Sequence, residues 1–192
     1  MTFKFVFVVI CFIIAASSYV FCKEKKDWAL LTMGLMFTVA ADYFLVLHDN
    51  HLPGVAVFCF AHVCYILRAL NMTESKKAGH IGLIILPFLI ALIFFAFIGQ
   101  ALFALAGIYA GLFIINIAVN IRFCKFNRGL ILLGLILFAL CDVNVLLFNL
   151  PRQLGTFEIF PWAFYFIWIF YLPSQILLAV SGIDTISIRK EE

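Results

Sequence analysis

The sequence predicts an all-α protein, a polytopic bundle of transmembrane helices, and three observations support this prediction. Hydrophobic residues make up 66% of the 192 residues and charged residues only 12%, whereas soluble domains are about 45–50% apolar and about 25% charged. The mean hydropathy is +1.17. The apolar residues also fall into runs of roughly 20 residues, the length that a helix needs to cross a bilayer. A soluble globule of this size could not bury so much apolar surface.

Seven such runs divide the chain and leave no room for a second domain. The first, residues 3–22, is followed at once by three lysines, which favours an uncleaved span over a secretory signal. Trp28 is placed to anchor the second span at an interface, and Pro53 suits the first turn of the third. Gly99 and Gln100 divide a stretch that is too long for one crossing. The predicted single transmembrane domain, residues 1–192, has spans at about 3–22, 28–47, 53–70, 80–98, 101–121, 129–149 and 158–181.

The basic residues predict how these spans are oriented in the cell membrane. With the N-terminus outside and the C-terminus inside, only Lys4 and Arg152 lie in outside segments. Eleven basic residues lie inside, and this bias is typical of multi-pass membrane proteins. The net charge of +3 includes no basic cluster suited to nucleic acid. The inside residues are Lys23, Lys25, Lys26, Arg68, Lys76, Lys77, Arg122, Lys125, Arg128, Arg189 and Lys190.

Two aspartates lie inside apolar spans with no lysine or arginine at their depth. Asp42 is five residues from the outer end of the second span, and Asp142 is seven residues from that of the sixth. At about 1.5 Å per residue, both carboxyl groups are roughly 7–11 Å below the outer boundary. Ionisable residues inside a membrane are costly and are functional-site candidates. Two carboxyl groups in one low-dielectric pocket do not both ionise, which leaves the one acid and one base that a catalytic pair needs.

Further polar residues lie at middle depths of the spans. His62 is nine residues into the third span, and Tyr65 lies on the same helix face one turn further on. Groups of this kind also hold helices together, and that interpretation is favoured for the asparagines. The other members of this set are Asn116, Asn120, Asn144, Tyr171 and Gln175.

Other kinds of site find little support. The sequence has no H-E-x-x-H or H-x-x-x-H zinc motif, no G-x-S-x-G elbow and no glycine-rich phosphate loop. His48, Asp49 and His51 resemble a metal cluster, but they occupy a short turn, and a solvated loop is the preferred interpretation. The six cysteines are interpreted as free thiols that pack as small apolar side chains.

Four segments carry these polar residues in a characteristic order: GLMFTVAADYFLVL, PGVAVFCFAHVCYIL, LGLILFALCDVNVLLFN and FYLPSQILLAVSG. Over residues 30–181 they resemble the YhhN-type lysoplasmalogenase family of polytopic membrane proteins. Ala41 and Cys141 stand where that family has a glycine and a serine before its aspartates. The family usually has one more N-terminal helix, so the chain resembles a shortened member. The matching positions are Asp42, His62 with Tyr65, Asp142, Tyr171 with Gln175, and Gly34, Gly54 and Gly134.

The resemblance implies an integral membrane hydrolase that cleaves the vinyl ether bond of a lysoplasmalogen to a fatty aldehyde and a glycerophospho-base. It implies Asp42, Asp142 and His62 as catalytic residues, without a metal or organic cofactor. The expected partners are a lysophospholipid substrate and the lipid bilayer. The residues expected to contact the substrate are Tyr65, Tyr171, Gln175 and, two residues after Asp142, Asn144.

An alternative from another class uses the same carboxyl groups as a proton relay. The protein would then be a small proton-coupled transporter or a lipid-binding membrane protein. The sequence shows neither the internal inverted repeat nor the pair of broken helices that many transporters have. The hydrolase is therefore the preferred prediction.

Overall fold

The computed structural model describes residues 2–22, 24–71, 101–124, 127–153, 155 and 160–183. In this part of the chain the structure is helical apart from turns and one isolated bridge, Cys22 to Ile183, which confirms the predicted all-α class. A 3-10 turn, Ser18–Phe21, follows the first helix, and a π-helical turn, Tyr43–Leu47, follows the second. The six helices are α1 Thr2–Ser17, α2 Lys25–Asp42, α3 His51–Asn71, α4 Ala101–Phe123, α5 Arg128–Gln153 and α6 Ala163–Val180.

Six of the predicted spans coincide with helical segments of 18–23 residues that are long and apolar enough to cross a membrane. The fourth predicted span, residues 80–98, lies outside the described residues. The third helix begins at His51, so Pro53 falls in its first turn, where the missing N–H has no intrahelical partner to lose. The last begins at Ala163, after a turn at Pro161 and Trp162.

Each described helix packs against the next along the chain, and α6 returns to α1, so these six helices form a closed ring. Their outward faces carry exposed apolar side chains such as Ile114 and Ile169, as expected of a surface that contacts lipid. Inside the ring, the fully buried Phe138 of α5 is surrounded by aromatic side chains from α3, α4 and α6.

A buried arginine joins three segments of the chain at one end of the bundle. Arg68 in α3 donates through Nε and Nη2 to the two carboxylate oxygens of Asp27 in α2, at 2.7 and 2.9 Å. Its Nη1 and Nη2 also donate to the hydroxyl and the carbonyl of Ser181, just after α6, at 2.7 and 3.1 Å. Such a bidentate pair fixes orientation as well as contributing energy. We call this the Arg68 end of the bundle.

Contacts at the Arg68 end also show the relative direction of α3 and α4. Asn127, after α4, donates through Nδ2 to the carbonyls of Ser181 and Ile183 at 3.0 and 2.9 Å. Its φ of 47° is in the left-handed region, which asparagine tolerates. Ser181 therefore contacts both the last turn of α3 and the turn that follows α4, so these two helices run parallel.

At the opposite end, α2 changes its helix type directly after Asp42. The wider π-turn Tyr43–Leu47 then leads to His48 and the short connection to α3. A Cβ on Gly54 of α3 would lie 2.5 Å from Cγ of Leu45, so glycine is what allows α3 to approach this turn. Single π-turns occur frequently at functional sites, and here the turn ends the α-helical segment that carries Asp42.

Candidate active site

Asp42 lies at the end of α2 with 4% of its surface exposed. Its Oδ2 accepts a hydrogen bond of 2.6 Å from Oη of Tyr171, which is buried in α6. The ion pairs found among the described residues join Arg68 to Asp27 and His51 to Asp49, and neither involves this carboxyl. Asp42 is therefore a buried acid that is held by a tyrosine and not by a cation.

Asp142 of α5 has a similar arrangement with a tyrosine of another helix. Its Oδ2 accepts a hydrogen bond of 2.7 Å from Oη of Tyr109 in α4. Asp142 is half-buried, and so is more exposed than Asp42. Each carboxyl group thus has its own tyrosine donor, and each of these hydrogen bonds joins two different helices.

His62 of α3 is fully buried and forms part of a row of polar groups that leads into α4. Nδ2 of Asn116 lies 3.1 Å from Nδ1 of His62. Nδ2 of Asn120 donates to Oδ1 of Asn116 at 2.8 Å and to its backbone carbonyl at 2.9 Å. The other ring nitrogen, His62 Nε2, is buried and has no hydrogen-bond partner in the described part of the chain.

Aromatic rings connect the histidine to the two aspartate–tyrosine pairs. The His62 ring centroid lies 5.0 Å from that of Tyr109 and 5.7 Å from that of Phe138. Phe138 in turn lies 5.6 Å from Tyr171. The three predicted catalytic residues therefore line one interior region of the ring, centred on Phe138.

Tyr65 and Gln175 lie one turn further towards the Arg68 end. Tyr65 is 4% exposed, and its hydroxyl lies beside Thr38. Its ring packs so closely on Gly34 of α2 that a Cβ there would lie 2.5 Å from Tyr65 Cε1. Gln175 of α6 is fully buried; its Nε2 lies 3.4 Å from Ser174 Oγ, and its Oε1 has no hydrogen-bond partner among the described residues.

Asn144 and the turn that holds His48, Asp49 and His51 take no part in these contacts. Asn144 is buried, but its Nδ2 donates to the carbonyl of Leu140 in its own helix, at 2.7 Å. His51 and Asp49 lie at the end of the bundle, with 3.6 Å between Nε2 and Oδ1 and with the Asp49 side chain 91% exposed. In the described part of the chain, no three histidine, cysteine or acidic side chains are grouped so that they could hold a metal ion.

The structure adds residues that sequence reasoning did not select for the site. Tyr109 was not selected, and Phe138 reads as an ordinary core residue. Asn116 and Asn120 are predicted to tie helices together, and Asn116 does join α4 to α3, through its contact with His62. One signal was available: Tyr109, Asn116 and Asn120 are spaced by seven and four residues, which places them on one face of a helix.

The chain was compared with curated proteins, solved structures and protein families, and only the comparison with families gives a match. Neither a curated protein nor a solved structure matches the chain. Residues 1–182 match the YhhN family, a range that includes all six described helices and every residue of the candidate site. The match extends the resemblance seen over residues 30–181 to α1. The chain therefore belongs to the YhhN family.

Proposed function

We propose that this protein is a membrane hydrolase that cleaves the vinyl ether bond of lysoplasmalogen-type lysophospholipids, releasing a fatty aldehyde and a glycerophospho-base. The observation that carries the proposal is the pair of carboxyl groups, one buried and one half-buried, each held by a tyrosine and neither by a cation of the described residues, in an interior lined by aromatic rings. Membership of the YhhN family supports the same reaction class. An apolar interior suits the alkenyl chain, and a carboxyl pair suits acid-catalysed cleavage of an enol ether.

In the first step, a neutral carboxylic acid protonates the β-carbon of the double bond and leaves an oxocarbenium ion. Asp42 suits this role because it is the more deeply buried carboxyl, and burial without a cation favours the uncharged form. Tyr171 occupies Oδ2, so Oδ1 is the oxygen that would deliver the proton. The hydrogen bond fixes the direction of the carboxyl group, which is the geometric requirement of general acid catalysis.

In the second step, the ionised carboxylate stabilises the cation and activates water. Asp142 suits this role because it is half-buried and Tyr109 stabilises its charge through Oδ2. Water adds to the cation and gives a hemiacetal while Asp142 takes the proton. Asp142 then protonates the leaving glycerol oxygen, and Asp42 accepts the hydroxyl proton as the aldehyde forms. Both carboxyl groups return to their starting states, as acid/base catalysis requires.

The test is aldehyde release by the purified protein in detergent micelles. The substrate is a 1-O-alkenyl lysophospholipid, and matched controls are the saturated 1-O-alkyl lipid and a 1-acyl lysolipid. Aldehyde is expected from the alkenyl lipid alone, because only an enol ether becomes an oxocarbenium ion on carbon protonation. No aldehyde from a folded preparation would reject the proposal. Proton uptake into vesicles that contain the protein would then support the transporter alternative.

A further inference from the structure

The hydrogen bonds of Asn120 determine the orientation of both asparagine amides in α4. The backbone carbonyl of Asn116 is only an acceptor, so the group 2.9 Å from it must be Asn120 Nδ2. The same nitrogen lies 2.8 Å from the other amide, so the atom facing it is the oxygen Oδ1 of Asn116. The Asn116 amide therefore presents its nitrogen, Nδ2, to His62.

This orientation determines where His62 carries its proton. An amide nitrogen only donates, so Nδ1 of His62, 3.1 Å away, is the acceptor. A neutral imidazole with an unprotonated Nδ1 carries its proton on Nε2. Imidazolium, or the Nδ1–H tautomer, would place two donors face to face at a fully buried position, which is costly. His62 is thus a neutral donor through Nε2, and it is not a base at that atom.

The Nε2–H donor is unpaired within the described residues, although His62 is 0% exposed. Buried polar groups in proteins nearly always have hydrogen-bond partners, so an unpaired donor at a candidate site points to a ligand. The rings of Tyr109, Phe113 and Phe138 lie within 5.7 Å of the imidazole, centroid to centroid. The acceptor expected in these surroundings is an uncharged oxygen.

We infer that Asn116 and Asn120 are positioning residues that hold His62 as a neutral Nε2–H donor, and that this donor binds the free glycerol hydroxyl of a lysolipid. The inference rests on the proposed function for the identity of the lipid. A phosphate would call for charged donors, and the geometry supplies a neutral one. The vinyl ether oxygen must release electron density to form the oxocarbenium ion, so a hydrogen bond to it would oppose the reaction. The hydroxyl is the remaining uncharged oxygen of the glycerol.

The tautomer can be measured directly by nitrogen NMR of the full-length protein in micelles, with ¹⁵N-labelled histidine and with His62→Gln to assign the signals. The wild type should show a protonated Nε2 and an unprotonated Nδ1. In Asn116→Asp, the carboxylate accepts from Nδ1, so the proton should move to that nitrogen. Asn149→Asp is the control, because it makes the same change in another helix, α5, where Asn149 Nδ2 donates to the carbonyl of Val145. A protonated Nδ1 in the wild type would overturn the inference, whether or not the variants fold.

The ligand is tested with a lipid that cannot be cleaved. A saturated 1-O-alkyl lysophospholipid should shift the Nε2 signal of His62, and its 2-deoxy analogue should not. Loss of one neutral hydrogen bond should weaken binding of the deoxy lipid by about 2- to 10-fold. That difference should disappear in His62→Phe. Equal binding of both lipids with no change at Nε2 would refute the assignment of the hydroxyl.

These measurements separate the inference from the proposed function. Neither the tautomer nor the binding of a saturated ether depends on turnover. A protein that releases no aldehyde but shows the hydroxyl-dependent Nε2 shift keeps the inference and loses the hydrolase. A protein that releases aldehyde but has a protonated Nδ1 keeps the hydrolase and loses the inference.

Discussion

Asp42 and Asp142 are the residues on which the proposed chemistry depends. Replacing either by Asn preserves the shape of the side chain and removes the titrating proton. Each change should lower turnover of the alkenyl lysolipid by about 10²–10⁴-fold, because the two groups act as one acid/base unit. Folding should survive, since a neutral amide is less costly to bury than a carboxylate. Asp49→Asn is the control, because Asp49 is almost fully exposed. Two Asn variants with wild-type turnover would eliminate the carboxyl mechanism.

The same pair should govern the dependence of turnover on pH. A neutral acid and an ionised base must coexist, so the rate should fall at low pH as the base is protonated and at high pH as the acid is lost. The wild-type profile of rate against pH should be bell-shaped. Its two apparent pKa values should belong to the coupled pair and not to either aspartate alone. The measurement is the initial rate of aldehyde release across a pH series. A rate that stays constant through the titration range of both carboxyl groups would contradict the assignment.

At this scale the sequence identified the carboxyl groups but not their partners. Asp42, Asp142 and His62 could be predicted because an isolated ionisable residue in an apolar helix has few explanations. Their partners Tyr171, Tyr109 and Asn116 lie on other helices. Which side chains meet across two helices depends on the rotation and tilt of both, and packing sets these. Tyr171 came from the family resemblance, whereas Tyr109 had only its spacing to the asparagines to suggest it.

At the scale of helices, the closest approach in the site is that of α2 to α3 at Gly34. A Cβ there would lie 2.5 Å from the Tyr65 ring, so Gly34→Ala must displace the ring or the helix. Overpacking of this kind costs about 1–3 kcal/mol, and we expect a lower unfolding temperature in micelles together with reduced turnover.

Gly107→Ala is the matched control, because a Cβ at that position in α4 meets nothing within 4 Å. There, alanine should be neutral or slightly stabilising, since it favours the helix. Equal effects of both substitutions would contradict this account of the packing.

The ion pair at the Arg68 end gives a second prediction for the helices. Arg68→Ala leaves the Asp27 carboxylate, whose side chain is 13% exposed, without its partner, which should cost up to about 3–5 kcal/mol. Asp27→Asn in the same chain removes the stranded charge, so the double variant should be more stable than Arg68→Ala alone. The unfolding temperatures of both single variants and the double variant in micelles form the test cycle. If the double variant loses as much as the sum of the singles, the pair is not coupled.

The helices themselves were more predictable than their irregular turns. Runs of apolar residues gave six helices to within a few residues at most ends, because length and hydropathy are properties of the local sequence. The π-turn Tyr43–Leu47 was not predicted, since neither glycine nor proline marks it. Leu45 of this turn packs closely on Gly54, which belongs to the next helix. The sequence indicates Arg68 only as a positive charge on the inside. Its ion pair with Asp27 depends on how α3 packs against α2, which the sequence does not show.

For the whole molecule, the ring of six described helices holds two kinds of polar group at different places. The Arg68 end holds a charged cluster with several hydrogen bonds, which joins α2, α3 and α6. The interior around Phe138 holds acids and an imidazole with tyrosine or asparagine partners. The cluster stabilises the bundle without placing a cation beside Asp42 or Asp142. One carboxyl group can then remain neutral while the other is ionised, which the proposed chemistry needs.

The path of the whole chain across the membrane gives the last prediction. Arg68 in the last turn of α3 and Asn127 after α4 lie at the same end of the bundle, so both are expected on the same side of the membrane. With the N-terminus outside, as the eleven inside charges indicate, reporter fusions at Lys77, at Arg128 and at the C-terminus should all report the inside, and one at Asn50 the outside. An outside signal at Arg128 would contradict the predicted orientation.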